Sequence, residues 1–390
     1  MVPKMQGGNV VKRFSTILAL IVSAALLTAC GRLGSSGVGT TSSTKTTSTI
    51  QTTGQTSDDE YQGVIQNGKY KTSKARGLTK DQNTNGSNLK SFENGLQTIS
   101  QKQFATDDYI FQEGQYLKKA TAQNWLDRKS KSNASGLNPV DNGETDATKR
   151  NPDYIQAIEE QDYMTQDGNN LKLGGMTIGL AMNQVDYYQK EDYGATYETK
   201  ISHDKMVSEG KSMANTVVSR MRKTEGVGNV PIVIALYEQA TNDSLVGGTF
   251  FAYGISKDGG KTISEWHNVN EANYVLPVVG SAKSGSTSDA DSFSNFKTNV
   301  QSFFPNLSGV TAQTHYKDGN LSGMNITINT QFYSETEIKS FTQYLVTAAN
   351  KYLPSEAAIE ITVQSTDGTQ AFIAREAGEK SFYSHVFGSY

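Results

Sequence analysis

Beyond Cys30 this chain of 390 residues has no cysteine. No intrachain disulfide can form, so the folded part must rest on core burial alone. It also lacks an excess of either charge: 36 basic and 39 acidic residues leave a net charge of −3. That removes the electrostatic case for nucleic acid or an anionic membrane surface as a partner. No apolar stretch reaches the ~20 residues that cross a bilayer as a helix. There is no P-loop, no G-x-G-x-x-G after a strand, no H-E-x-x-H and no G-x-S-x-G. The four histidines (His203, His267, His315 and His385) lie far apart, and none has metal-ligand spacing. No catalytic residue, metal or cofactor is therefore assigned, and the chain is read as a non-enzyme. Tryptophan is scarce, at 2, against 19 tyrosines. Most tyrosines are expected as half-buried ladder residues on strands.

What is present begins at the N-terminus. Lys12 and Arg13 precede an apolar run from Phe14 to Leu26, interrupted by Ser15, Thr16 and Ser23. A basic region, a short apolar region and small residues before a cut describe a secretory signal peptide over residues 1–29. The ending Leu27-Thr28-Ala29-Cys30 resembles the lipobox of bacterial lipoproteins. That resemblance implies cleavage after Ala29 and a diacylglycerol thioether on Cys30. Two acyl chains hold a protein stably on a membrane. The mature chain is expected to be anchored to the cell membrane through Cys30, on the extracellular face. Residues 30–60 read as anchor and flexible stalk. Fifteen of the 27 residues from Gly31 to Ser57 are Ser or Thr, a composition that cannot offset the entropy of ordering. Such a coil reaches roughly 30 Å.

The rest alternates helices and strands. Asn67-Gly68 predicts a hairpin over Tyr61–Lys71. Leu89, Phe92, Leu96 and Ile99 mark one face of a helix over Asn88–Gln103. Asp107–Leu117 reads as a strand, and Thr121–Lys129 as a short helix. Asn151-Pro152 reads as a helix start, with Tyr154, Ile155 and Ile158 on its apolar side. Glu159, Glu160 and Asp162 would then be a solvated acidic helix end. Leu171–Val185 reads as a strand, and Ser202–Lys223 as a helix capped by Ser202. Two strands follow, Pro231–Gln239 and Val246–Gly254. Ser281–Asp291 reads as a linker. Helices over Phe293–Phe304 and Ser334–Tyr352, and strands over Gly309–Tyr316, Asn320–Phe332, Ala358–Gln364 and Gln370–Arg375, complete the chain.

This order repeats. Ser91-Phe92-Glu93-Asn94 matches Ser292-Phe293-Ser294-Asn295, and Gly175-Met176-Thr177-Ile178 matches Gly323-Met324-Asn325-Ile326. The expected fold is α+β: two related units from an internal duplication, each an antiparallel or mixed sheet with helices on one face. Residues 61–285 would hold the leader hairpin and the first repeat, with an insertion near residues 118–166. Residues 286–390 would hold the second repeat. A cleft between the units is the default ligand site.

Several words are similar to those of the CamS family, the sex-pheromone lipoprotein precursors of low-GC Gram-positive bacteria. They are Ala75-Arg76-Gly77-Leu78, the run Tyr109-Ile110-Phe111-Gln112-Glu113-Gly114-Gln115-Tyr116-Leu117, Trp125-Leu126 and Gly136-Leu137-Asn138-Pro139. The resemblance implies that a short hydrophobic peptide is excised from the signal sequence and acts as a conjugation pheromone. The matching segment here is Ser23, Ala24, Ala25, Leu26, Leu27, Thr28 and Ala29. The mature domain is expected to be a binding module for an unknown extracellular ligand or envelope partner. The alternative readings are a cell-envelope hydrolase or an adhesive or structural partner. Glu113, Gln115, Tyr116 and Trp125 are the candidate cleft residues.

Overall fold

The computed structural model describes residues 50–80, 85–168, 170–280, 282–303, 309–332 and 334–388. Cys30, the lipobox and the segment from Ser23 to Ala29 lie outside the described residues. The stalk expected up to residue 60 is ordered from Ile50 onward. There β1 (Ile50–Thr52) pairs with β2 (Val64–Gln66), which turns through Asn67-Gly68 into β3 (Lys69–Tyr70). Both turn residues have positive φ, 52° and 71°, as a two-residue hairpin turn requires.

Next come α1 (Gly86–Ser100), β4 (Ile110–Glu113), α2 (Lys119–Leu126), β5 (Ile155–Asp167) and β6 (Asn170–Asn183). A small hairpin, β7 (Val185–Gln189) and β8 (Thr196–Lys200), leads into α3 (His203–Met221), which Ser202 caps through Lys205 N–H. Then follow β9 (Ile232–Gln239), β10 (Thr249–Ser256), β11 (Trp266–Asn268) and β12 (Glu271–Leu276). The chain ends with α4 (Thr287–Phe303), β13 (Gly309–Lys317), β14 (Asn320–Asn329), α5 (Glu335–Tyr352), β15 (Ala358–Ser365), β16 (Gly368–Arg375) and β17 (Tyr383–Val386).

Two six-stranded mixed sheets organise these elements. The first runs β4-β5-β6-β9-β10-β11 and the second β12-β13-β14-β15-β16-β17. In each, the third and fourth strands are parallel and every other neighbouring pair is antiparallel. A parallel pair needs a crossover connection. Helix α3 supplies it between β6 and β9, and α5 between β14 and β15. The matched Gly-Met words share one register. Met176 pairs with Ile232 and Met324 with Ile359. Gly175 and Gly323 each sit immediately beside a bulge in the preceding hairpin.

Four sequence expectations are corrected. The segment after Asn151-Pro152 is strand β5, not a helix, because Ile155 to Asp162 are claimed by pairing with Met182 to Met176 on β6. The acidic residues on it are therefore not a solvated helix end. The second sheet takes its first strand, β12, from upstream of the 285/286 boundary. The Ser-Phe-x-Asn words do not mark equivalent helices: α4 lies between the first two strands of its sheet, where the first sheet has α2, whereas α1 precedes β4. The linker expected through Asp291 is already helical from Thr287.

The helix arrangement also departs from expectation in the first sheet. Ile232, Ile234 and Leu236 of β9 pack with Met206, Met213 and Val217 of α3 and with Trp125 of α2. Val233, Ala235 and Tyr237 face the other way, against Phe92, Leu96 and Ile99 of α1. Helices thus cover both faces of this sheet. In the second sheet α4 and α5 share one face, packing Phe293, Phe296, Phe341 and Leu345 on Ile326, Ile359 and Ile361. Its other face carries the exposed Thr311, Gln313, Asn325 and Glu360.

Candidate functional site

Strand β5 splits its carboxylates between two faces, because successive side chains on a strand point to opposite sides. Glu159 faces α1. There it meets Glu93 on α1, Glu113 at the end of β4, and Arg76 and Tyr70 from the leader segment, around a hollow of about 120 Å³. Arg76 lies 3.3 Å from Glu113 and 3.7 Å from Glu93. Ser73 N–H donates to Glu113 at 2.6 Å, and Gln161 Nε2 donates to Glu159 at 3.2 Å. Burial, with Glu93 and Glu113 adding to it, pushes the Glu159 carboxyl up to about 8. Burial, then the Glu113 charge, pushes the Tyr70 phenol up to about 12.

Glu160 and Asp162 point to the opposite face and are fully enclosed. The segment after β4 folds over them. Tyr116 N–H and Leu117 N–H donate to Glu160 at 3.0 and 2.5 Å, and Gln115 N–H donates to Asp162 at 3.0 Å. The two carboxyls also bond to each other. Burial, then the charge of Glu160, raises Asp162 well above the usual carboxylate range. Two adjacent buried carboxyls do not readily both ionise, and Asp162, raised further than Glu160, is the one favoured to take up a proton. Gly114 makes the fold-over possible: a Cβ there would come within 2.5 Å of the Glu160 backbone oxygen.

A second hollow lies where β6 and β9 end. It is shallow and open to solvent, about 210 Å³ between Gln184, Glu238, Thr241, Ser244, Thr249 and Asn273, the last coming from the second sheet. Two asparagines at the start of α1 hold its rim, and sequence reasoning did not single them out. Asn85 Nδ2 donates to the carbonyls of Thr241, Ser244 and Val246. Asn88 Oδ1 accepts from Ala240 N–H and Gly248 N–H. Their pairing is with residues more than 150 positions away, so no local pattern announces it. Asn273 Nδ2 ties the second sheet to the carbonyls of Gly247 and Gly248.

The four predicted cleft residues do not converge on one site. Glu113 lines the acidic hollow. The Gln115 side chain donates to the backbone carbonyls of Thr72 and Glu113. Tyr116 lies over Gly226, whose added Cβ would be 2.9 Å from its ring. Trp125 is a core residue, 6 % exposed, with the Arg220 guanidinium 5.1 Å from its ring centre. Among the described residues no group of three or more His, Cys, Asp or Glu side chains is arranged to hold a metal ion. No helix among them is long and apolar enough to cross a membrane.

The family described as CamS sex pheromone cAM373 precursor matches residues 70–381. The chain belongs to the CamS family. It is similar to the sex pheromone precursor of Lactobacillus salivarius subsp. salivarius, with 55 % identity and a TM-score of 0.83 over 87 % of this chain and 100 % of that one. It is also similar to the C-terminal domain of the sex pheromone staph-cAM373 precursor from Staphylococcus aureus. That match has 31 % identity and a TM-score of 0.64 over 78 % of this chain and 98 % of that one. No curated protein matches.

The stretches singled out in the sequence serve its architecture. Phe111 to Leu117 forms the strand and the amide cradle over Glu160 and Asp162. Asn138, fully buried, donates to the carbonyls of Leu126 and Ile155 and accepts from Tyr154 N–H and Ile155 N–H. It thereby locks α2 to the start of β5. Gly136 allows the close approach to Arg128, whose backbone oxygen would lie 2.6 Å from an added Cβ. Gly77 turns the chain at a φ of 67°, placing Arg76 between Glu93 and Glu113.

Proposed function

We propose that this CamS-family protein is a lipoprotein held on the outer face of the cell membrane through Cys30. Its signal peptide yields a short hydrophobic pheromone that includes residues Ser23 to Ala29. The Ser/Thr-rich segment spaces the folded part from the membrane. That folded part is a binding module made of two copies of one unit, joined at the loop 240–248.

The lipobox Leu27-Thr28-Ala29-Cys30 carries the anchoring and processing reading. Membership of a family of pheromone precursors supports it. The common strand order and the shared Gly-Met register support duplication. The polar hollow between the sheets, with a rim pinned by buried asparagines, supports binding over catalysis. The acidic hollow is a weaker basis for a hydrolase. Arg76 pairs with both Glu93 and Glu113, and Gln161 donates to Glu159.

Mass spectrometry of culture supernatant, with and without the gene, tests the precursor role. A peptide ending at Ala29, whose synthetic form makes plasmid-bearing cells clump or mate, is the expected result. Its absence from a culture that makes the mature chain overturns the pheromone reading. A Cys30→Ala variant should leave the membrane fraction and lose lipid label; retention of both overturns the anchoring.

A further inference from the structure

We propose that β17 pairs edge to edge with β17 of a second copy of this chain, joining their two open sheets into one. The free edge is the first argument. Strand β17 ends its sheet. Phe387 N–H donates to the Gln370 carbonyl, and along a strand the backbone groups of successive residues point to opposite edges. Tyr383, His385 and Phe387 therefore bond toward β16, while the N–H and C=O groups of Ser384 and Val386 point away from the sheet. Among the described residues no other group bonds to them. Such an unpaired row is a template for another strand.

Other edges of the molecule are occupied. On β4, Phe111 N–H donates to the Gln62 carbonyl and Phe111 bridges to Gly63, so the leader hairpin covers that strand. On β12, Asn273 is tied to the loop 240–248. Proteins guard bare edges with Lys, Pro or an inward charge. The stretch from Phe382 to Gly388 contains no Lys, Arg, Asp, Glu or Pro.

The side chains are the second argument. Val386 packs on the core of its sheet, so Tyr383, His385 and Phe387 project from the open face. Tyr383 is 65 % exposed and Phe387 48 %. The His385 and Phe387 rings meet at 5.0 Å, and Phe372 on β16 lies opposite His385. An aromatic strip thus runs along the free edge of a face that elsewhere carries Thr311, Gln313, Asn325 and Glu360.

Self-complementarity selects the occupant. A second β17 laid antiparallel about a two-fold axis through His385 sets Ser384 against Val386 in both directions, and the outward backbone groups of each exchange hydrogen bonds. The same register sets Tyr383 against Phe387, and His385 against its own copy, in the non-hydrogen-bonded pairs where side chains come closest. Aromatic cross-strand pairs stabilise a sheet, and like charges placed opposite destabilise it. This register supplies the first and brings no carboxylate, Lys or Arg opposite its like. A two-fold contact uses one patch on both copies and closes on itself, so pairing stops at two.

The test is oxidative cross-linking with copper phenanthroline in cultures that make the full chain, read on the fraction that holds it. The chain has no cysteine beyond Cys30, so one introduced thiol reports one position, and the parent chain controls for links through Cys30. His385→Cys lies on the axis and should give a disulfide-linked homodimer. Asn325→Cys, exposed at the middle of the same face, should give roughly tenfold less, since a disulfide needs its Cβ atoms within ~4.5 Å of each other. Tyr383→Cys and Phe387→Cys, made together as differently tagged copies, should link to each other and not to themselves. Ser384→Pro, added to His385→Cys, removes an outward donor only, a change that an edge strand tolerates. Loss of the homodimer in that double variant, with circular dichroism unchanged, supports the pairing. Equal yields from His385→Cys and Asn325→Cys, or a homodimer that survives Ser384→Pro, overturn it. A His385→Cys link to a different protein in place of the homodimer overturns the second copy as occupant, and so does the absence of any link.

Discussion

Strands β9 and β15 hold the same place in their two sheets, each the fourth strand and each parallel to its predecessor. Their sequences differ in one systematic way. Positions 232–237 of β9 read Ile-Val-Ile-Ala-Leu-Tyr, whereas positions 359–364 of β15 read Ile-Glu-Ile-Thr-Val-Gln. The inward side chains are alike. The alternate ones are Val233, Ala235 and Tyr237 in one sheet and Glu360, Thr362 and Gln364 in the other. A strand covered on both faces is continuously apolar, and a strand covered on one face alternates. The partner strands repeat the contrast. On β6 the residues facing α1 are Gly175, Thr177, Gly179 and Ala181. At the same register β14 has Gly323, Asn325, Thr327 and Asn329. Helix α1 makes the difference. Its Phe92 sits so close that a Cβ on Gly179 would come within 2.5 Å of the ring. One topology thus supports a closed and an open sheet, according to what covers the second face.

The largest test of this contrast lies at β5, where Glu160 and Asp162 occupy the register held by Ala312 and Thr314 in β13. Glu160→Ala strips the amides of Tyr116 and Leu117 of their acceptor and should cost about 3–5 kcal/mol in urea unfolding. Asp162→Asn retains a neutral donor toward Glu160 and should cost under about 1 kcal/mol. Equal losses for the two variants would show that the proton is not on Asp162.

Gly175 and Gly323 provide the next test. An added Cβ at Gly175 would meet the Phe104 ring at 2.1 Å, while at Gly323 the nearest atom is 3.9 Å away. Gly175→Ala should therefore destabilise by about 1–3 kcal/mol, and Gly323→Ala by no more than about 0.5 kcal/mol. Similar values at the two sites would mean that Phe104, in the segment that follows α1, does not close over the first sheet as described.

The acidic hollow, which also depends on α1, should show in pH dependence. Glu159 is raised from 4.5 to about 8 in the folded chain, so the folded state holds a proton that the unfolded state releases. Stability from this group is fully present below pH ~4.5 and is lost as pH rises to about 8. Glu159→Gln should flatten that decline when melting temperatures are compared between pH 5 and pH 8.5. An unchanged slope would reassign it to other groups. The smallest effect is expected on the open face: Thr362→Val, exposed to solvent on one side, should shift stability by less than about 0.5 kcal/mol.

Much of the fold was legible locally. The helix around Phe92 showed its apolar stripe, Ser202 announced the cap of the next long helix, and Asn67-Gly68 announced its turn. Strand β5 was misread because Pro152 and the spacing of Tyr154, Ile155 and Ile158 mimic a helix start. Its strand state comes from pairing with β6, which outweighs local preference. The contrast between β9 and β15 was also written in the residues. Reading it needed the knowledge that they occupy the same place in two sheets. The site residues were the least legible. Asn85 and Asn88 act on a loop more than 150 residues away, and Trp125, a natural ligand platform by type, is used as core.

By itself the sequence determined that this chain is an α+β protein without disulfides. It also carried the words by which the CamS family is recognised, since local periodicity and short-range turn chemistry are properties of neighbouring residues. Only the tertiary structure decided that α1 closes the first sheet while the second stays open. It likewise decided that Glu159 parts from Glu160 and Asp162, and that two asparagines build the rim of a hollow between the sheets. Each of these depends on which distant surfaces meet, and burial acts on surfaces without regard to their separation along the chain.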